Sequence, residues 1–431
     1  MTRRDLLNRL ARPGIMVKRW YVLSLFGVVI IIATMISLDW VYNGGLVLNW
    51  FPEILQRIFD NPSLPDWFLP VFSWVGLILG LGIVIYGAIQ VAFSLIPHYG
   101  ASAKKQAPKA GIPNVVVIGG GSGTFPVLKA LRMLEVNTTA IVTVADSGGS
   151  TGKLRDEMQI PAMGDIRRCL LALSDKPVFD KIIQHRFSKN GSLADHSLGN
   201  LIIAGLTSTE GDFAEAVYRL SKLMATKGQV IPFSIENISL CAKFEDGTTV
   251  SGEAEIPKIG KKISKVFFNP PHAKPYVRVL EALSMADTII IGPGSLYTSL
   301  LPALLLSPIV DVIINSNAKR IFISNIMTQK GETDGYSVND HIKAIIDHTG
   351  TDFFDNIIVT KSDIDVGILE KYRSIGSTKV GIDVDIDRER VIFADLAEVD
   401  SGVIRHSVTA LARVLNSEIP KSKVKKFSGK E

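Results

Sequence analysis

Two stretches constrain the folding of this chain before anything else. Residues 20–38 and 67–96 run for 19 and 30 positions without a charged side chain and are rich in Val, Ile and Leu. About 20 apolar residues of helix cross a bilayer core. Neither stretch shows the polar stripe that a core helix of a water-soluble domain turns to solvent. They are expected to form a transmembrane hairpin, the second helix tilted or bent around Pro70. A cleaved signal peptide fits the first stretch poorly, because its apolar run is long and no small-x-small site follows cleanly.

Loop charge orients the hairpin. Residues 1–19 carry six Lys and Arg against Asp5, the lysines of 97–113 (Lys104, Lys105, Lys109) face no acid, and the loop 39–66 sets four acids against Arg57. Positive-inside bias therefore places both termini in the cytoplasm. All five tryptophans (Trp20, Trp40, Trp50, Trp67, Trp74) fall in this region, most of them near the expected interfaces. Residues 46–59 suit either an amphipathic helix on the outer surface or a loop packed on the hairpin.

The same distribution explains the composition. The net charge of +5 and the pI near 9.0 would suggest nucleic acid as a partner. The excess, however, belongs to the membrane-proximal segments, and the portion beyond residue 113 is neutral. No aromatics interleave with a basic stripe, so nucleic acid is not expected. A mean hydropathy of +0.26 owes much to the two spans. With 47 % hydrophobic and 21 % charged residues, a mainly disordered chain is excluded. Cys169 and Cys241 are too few for a disulfide framework, and no CxxC, HExxH or Cys/His cluster points to zinc.

Four segments follow: a membrane anchor over 1–96, a Pro-, Gly- and Lys-containing linker over 97–113, one α/β domain over 114–416, and a Lys-rich tail over 417–431. In the third, short apolar runs (NVVVIGG, AIVTVAD, TIIIGPG, RIFISN) alternate with helical patterns, as in a parallel sheet covered on both faces. Residues 228–268 alternate instead, with Asp246-Gly247 as a turn signal, and read as an antiparallel excursion.

Polar and glycine-rich sequences gather where these strands end, which is where open parallel sheets bind ligands. Gly119-Gly120-Gly121-Ser122-Gly123-Thr124 lets backbone approach a phosphate at a helix N-terminus, although it is neither a Walker loop nor GxGxxG. Asp146 suits a ribose hydroxyl or a metal, while nearby Lys153 and Arg155 suit phosphate; a plain surface loop is the competing account. Asp165 stands where either a ligand contact or a helix cap is expected. His196 and Asn200 open an apolar helix, as ligand donors or as satisfied structural groups. Gly294 and Ser295 lie in a second strand–glycine–helix turn, and Asn325 follows a later strand, placed to read a base or sugar edge.

Taken in order, GGGSGTFPVLKAL, VTVADSGGSTGKLR, GDIRRCLLAL, HSLGNLIIAGL, GPGSLYTSLLPALL and SNIMTQKGETDGYS resemble the CofD/YvcK family from about residue 115 to about 415. EKYRSIGS and SGVIRHSV look more like the YvcK branch. That resemblance implies a Rossmann-like, doubly wound, mostly parallel sheet; the transmembrane hairpin, which on its own pattern places the chain in a bacterial-type cytoplasmic membrane, is an addition to the usual soluble family pattern. The resemblance also implies binding of UDP-N-acetylglucosamine and a regulatory role in cell-wall precursor supply, cell shape and gluconeogenic growth. The CofD branch implies the alternative, a magnesium-dependent transfer of a phospholactyl-type group from a nucleoside-diphosphate donor, with Asp146 as the metal candidate. Carried over position by position, ligand contacts fall on Gly120, Gly121, Ser122, Asp146, Asp165, His196, Asn200, Gly294, Ser295, Asn325, Tyr372 and Arg405. Tyr372 can stack on a base and Arg405 can clamp a diphosphate, against the plainer alternatives of a buried Tyr and a surface Arg. Ser147 replaces an acid common in the family, and Arg168 stands where Asn is common, which weakens a hard-cation site. Membrane lipid and a second copy of the chain complete the expected partners.

Overall fold

A computed structural model describes residues 17–43, 65, 67–95, 111–146, 148–188, 191, 193–383 and 387–421. The surface-helix segment 46–59, most of the linker, most of the tail and Ser147 lie outside the described residues. Contacts divide the chain into two compact units, Met1–Ala101 and Ser102–Glu431.

The first unit is a helical hairpin of α1 (Val17–Asn43) and α2 (Phe68–Leu95). Small residues let the two backbones touch. A Cβ added at Gly27 would lie 2.9 Å from the Gly80 carbonyl oxygen, and one at Gly80 would lie 3.0 Å from that of Gly27. Farther along, the Ser37 and Ser73 hydroxyls bond at 2.6 Å. Large apolar side chains such as Val22, Phe26, Ile78 and Leu79 face outward, each more than half exposed. Pro70 falls in the first turn of α2, where its missing N–H costs no helical bond. Among the described residues, Pro70–Ala88 is the helix long and apolar enough to cross a membrane, with mean hydropathy 2.1; the apolar segment Val22–Leu38 is shorter.

The second unit opens with β1 (Asn114–Gly119), α3 (Gly121–Arg132), β2 (Asn137–Val142), α4 (Gly149–Met158), α5 (Gly164–Leu173), α6 (Pro177–Gln184), α7 (Leu198–Glu210) and α8 (Phe213–Leu223). Then come β3 (Gln229–Pro232), β4 (Ser239–Phe244), β5 (Thr249–Ser251), β6 (Ile263–Asn269), α9 (Val277–Ser284) and β7 (Thr288–Ile291). A π-turn (Leu296–Leu300), α10 (Leu301–Leu304), α11 (Ile309–Asn315), β8 (Lys319–Ile323), α12 (Val338–Thr349) and β9 (Asn356–Thr360) follow. The chain closes through α13 (Val366–Ser374), β10 (Val391–Ala394), the hairpin β11 (Ala397–Asp400) and β12 (Val403–His406), and α14 (Val408–Glu418).

Seven strands form one parallel sheet in the order β10-β9-β8-β7-β1-β2-β3. Its central strands are apolar on both faces because helices cover both. Every residue of β7 is buried, and Val115, Ile118, Ile289, Ile291, Ile321 and Ile358 are each 0 % exposed. Each such side chain contributes roughly 1.5–3 kcal/mol on burial. The order reverses at β1: the chain proceeds to β2 and β3 on one side and resumes with β7 on the other. Parallel register pairs Gly119 with Val142, Ile118 with Ile291, and Ile291 with Phe322, so four carboxyl ends finish side by side.

The antiparallel excursion is narrower than its sequence suggests. Residues 229–232 are the edge strand β3 of the main sheet, and the excursion proper is the three-stranded sheet β5-β4-β6. An isolated strand looks the same in sequence whether its partner is parallel or antiparallel, so alternation alone misplaced the boundary. The turn at Asp246-Gly247 stands as expected, with Gly247 at φ +87°.

Candidate functional site

The topological reversal opens a crevice between β1 and β7, and the loops beyond those strands close around it. A Cβ on Gly123 would strike the Pro293 carbonyl oxygen at 2.2 Å and the Gly294 Cα at 2.5 Å, so only glycine allows the two turns to meet. Asn325 locks the second turn: its Oδ1 accepts the Gly294 N–H at 2.9 Å and its Nδ2 donates to the Gly294 carbonyl at 2.8 Å. A cavity of about 340 Å³ lies beside these turns. Its lining comes from four strand ends and their neighbours: Ser122 after β1, Thr143 and Asp146 after β2, Ser295, Thr298 and Ser299 after β7, and Gln329 and Glu332 after β8. Asp165 and Arg168 reach in from α5, and Glu253 and Pro257 from the antiparallel excursion.

Four carboxyls thus share one cavity, and burial governs the protons of Asp165, Glu253 and Glu332. Asp165 is pushed above its ordinary value first by burial, with the Asp146 charge adding, while the Gly121 N–H and Arg168 oppose. Burial also raises Glu332, against hydrogen bonds from Ser295 and Thr298; the Ser295 hydroxyl donates to Oε2 at 2.5 Å. Glu253 rises to about 8, by burial and then by the charges of Asp146, Asp165 and Glu332, and it shares a hydrogen bond with Asp146. Arg168 is the cation of the lining and donates to the Ser122 hydroxyl. The cavity therefore offers many acceptors to a hydroxyl-bearing ligand.

The expected residues divide into three places. Ser122, Asp146, Asp165 and Ser295 line the cavity, with Gly120 and Gly121 packed against Asp165. Asp165 is not the cap of α5. That position is Met163, and the Asp165 carboxyl instead accepts the Gly121 N–H at the start of α3. The first glycine turn is thus already occupied by a carboxyl, which alters the expectation of an open phosphate cradle there. Asn325 commits its amide to Gly294, and so holds the loop rather than presenting a free edge. His196 and Asn200 are buried near the start of α7 and do not line the cavity. Tyr372 and Arg405 come together elsewhere, because the Tyr372 hydroxyl accepts the Ile404 N–H at 2.9 Å beside the exposed Arg405.

Glu253 and Glu332 escaped the sequence reading. Glu332 stands inside the SNIMTQKGETDGYS block, where a carboxylate after a strand end was the available signal. Glu253 had none, since it belongs to a segment that looked purely architectural.

A family model described as 2-phospho-L-lactate transferase CofD matches residues 115–397. The chain belongs to the CofD family. Relatives from Bacillus subtilis and Halalkalibacterium halodurans, each named gluconeogenesis factor, are 43 % and 48 % identical over 307 and 271 residues. These alignments cover 70 % and 63 % of this chain, and 97 % and 84 % of the relatives. A putative gluconeogenesis factor from a Nostoc species is 36 % identical over 419 residues, covering 94 % of this chain and 90 % of its own. That coverage extends into the N-terminal unit, so most of that unit is aligned with this relative as well. A crystal structure of a Bacillus halodurans protein matches with TM-score 0.69 and 44 % identity over 71 % of this chain and 99 % of that one.

The CofD family's transferase branch raises the question of a metal. Among the described residues, no three His, Cys, Asp or Glu converge as a cation site. The donor set that fits is the Asp146–Glu253 pair, because Mg²⁺ is commonly held by one or two carboxylates together with ligand phosphates.

Proposed function

We propose that the chain is a membrane-tethered, cytoplasmic UDP-sugar-binding regulator, with UDP-N-acetylglucosamine as the ligand, serving cell-wall precursor supply, cell shape and gluconeogenic growth. One observation carries this reading: a cavity of about 340 Å³ at the β1/β7 reversal, walled by hydroxyl and carboxyl acceptors suited to a sugar. The printed name of its relatives, gluconeogenesis factor, supports the regulatory class. Tyr372 and Arg405, ligand contacts by the family resemblance, lie outside the cavity lining and would supply an aromatic face and a guanidinium to a uridine diphosphate portion extending beyond it. The apolar helix pair supports tethering, and loop charge supports a cytoplasmic site.

Calorimetric titration of the full chain in detergent with UDP-N-acetylglucosamine tests the reading. Saturable heat that falls at least tenfold in affinity in Arg405→Ala is the expected result, and no heat at millimolar ligand with folded protein rejects it. The Asp146–Glu253 pair and the family model's name favour a second reading, a metal-dependent transferase of a phospholactyl-type group. In that reading Asp146 and Glu253 would hold Mg²⁺, and the ion would supply charge neutralisation. Binding abolished by EDTA and restored by Mg²⁺ selects the transferase; metal-independent binding selects the regulator.

A further inference from the structure

Outside the cavity lining, three of the walls that form it meet in one knot of aromatic side chains. Tyr297, 3 % exposed, stands in the π-turn between Ser295 and Thr298, both of which line the cavity. Its hydroxyl and that of Tyr336 bond at 2.8 Å. Tyr336 follows Glu332 in the loop beyond β8, and its N–H donates to the Thr333 carbonyl at 3.1 Å. The π-turn is therefore pinned twice to one loop. Glu332 accepts from the Ser295 and Thr298 hydroxyls, and Tyr336 holds Tyr297.

His348, near the end of α12, ties in the third wall. Its ring meets the Tyr297 ring edge-on, with centroids 5.8 Å apart, and its Nε2 accepts the Val266 N–H at 3.2 Å. Val266 lies on β6, in the antiparallel sheet whose β5–β6 connection brings Glu253 and Pro257 to the cavity. The hydrogen bonds fix the charge of this imidazole. Nδ1 lies 2.7 Å from the Ala344 carbonyl, which can only accept, so Nδ1 carries the proton. Nε2 then offers its lone pair to Val266, and a second proton would set N–H against N–H. Burial holds His348 below the ordinary histidine value and Lys265 on β6 adds to this, while the Ala344 carbonyl and Asp347 oppose. Burial likewise raises the Tyr297 phenol, with the Tyr336 hydrogen bond adding, so it stays protonated. Two further charged or titratable groups act on the knot through Tyr336. His341, lowered by burial, stands edge-on to its ring at 5.6 Å, and Lys262, paired with Glu245, faces it from just before β6.

We propose that Tyr297 and His348 are positioning residues that set the spacing of the π-turn, the Glu332 loop and the antiparallel sheet, and thereby the affinity of the cavity. Neither touches the ligand. The joint belongs to the ligand-free protein, and rests on the UDP-sugar reading only for the ligand that probes it.

Calorimetric titration and hydrogen exchange of the full chain in detergent test it. Tyr297→Phe and Tyr336→Phe are each expected to weaken UDP-N-acetylglucosamine binding about fivefold, and the double variant no more than either alone, because all three lose one shared hydrogen bond. His348→Gln, whose amide oxygen can take the Val266 N–H, is expected to bind within about twofold of wild type, and His348→Leu about fivefold more weakly. From about pH 7 to about pH 5, wild-type affinity is expected to fall further than that of His348→Gln, since the lining carboxyls are common to both. Parallel pH profiles overturn the joint, as does wild-type affinity in folded Tyr297→Phe. The His348→Gln profile decides if Tyr297→Phe does not fold. In ligand-free protein, Tyr297→Phe is expected to speed amide exchange in Ile263–Asn269 as well as in Leu296–Leu300, and unchanged exchange in Ile263–Asn269 overturns the joint. Faster exchange there, with no binding of UDP-N-acetylglucosamine by wild type, rejects the UDP-sugar reading and supports the joint.

Discussion

Asn325 shows how one side chain is spent on architecture at a binding site. Its amide satisfies both the N–H and the C=O of Gly294, so Asn325→Ala leaves two backbone groups of a part-buried turn without partners. A loss of about 1–3 kcal/mol is expected in urea unfolding, together with weaker ligand binding as the turn loosens. Glu253 makes a prediction in pH. Its folded value of about 8 lies far above the ordinary glutamate value of 4.5, so the native state holds the proton that the unfolded chain has released. Stability from this group is full below about 4.5 and is lost as pH rises toward 8. Wild-type Tm should decline across that window, and Glu253→Gln, neutral throughout, should flatten the decline and melt higher than wild type at pH 8.5. A parallel decline in the variant would remove Glu253 as its source.

Among the elements, the hairpin α1–α2 and the antiparallel sheet do unlike work. The hairpin is held by close backbone approach at Gly27 and Gly80 and by the Ser37–Ser73 bond. Its register predicts that Ser37→Cys combined with Ser73→Cys cross-links on mild oxidation. Native Cys169 and Cys241 are both buried and do not compete. A gel-shift assay after alkylation and proteolysis between the helices reads the outcome, and separated fragments would refute the register. The small sheet β5-β4-β6 instead delivers Glu253 and Pro257 to the cavity wall. A segment that interrupts the parallel rhythm is thereby part of the site. The π-turn after β7 plays a similar role, setting Ser295, Thr298 and Ser299 around the cavity mouth where a plain helix start was expected.

For the whole molecule, the uncharged spans and the charge of their flanks predict retention in the membrane fraction after carbonate washing. Release of a variant lacking residues 1–101 should follow, since the Bacillus subtilis relative is accounted for almost entirely by an alignment of 307 residues, near the length of the second unit alone. A full-length chain recovered in the soluble fraction would contradict the tether.

The sequence alone determined what local chemistry determines. Uncharged runs made helices; apolar runs ending in glycine made buried parallel strands and placed their loops at one rim. Six ordered motifs carried the family. Those signals are short-range or periodic, and each residue bears its part without knowing its neighbours in space. Tertiary structure decided what depends on partners. It put the Asp165 carboxyl on the Gly121 N–H rather than at its own helix cap, and it turned Asn325 toward Gly294. It brought Glu253 from an architectural sheet to Asp146, and it buried Arg167 against the first turn of α7. Hydrogen bonding and burial energy belong to pairs of groups, and the pairs here are up to 107 residues apart.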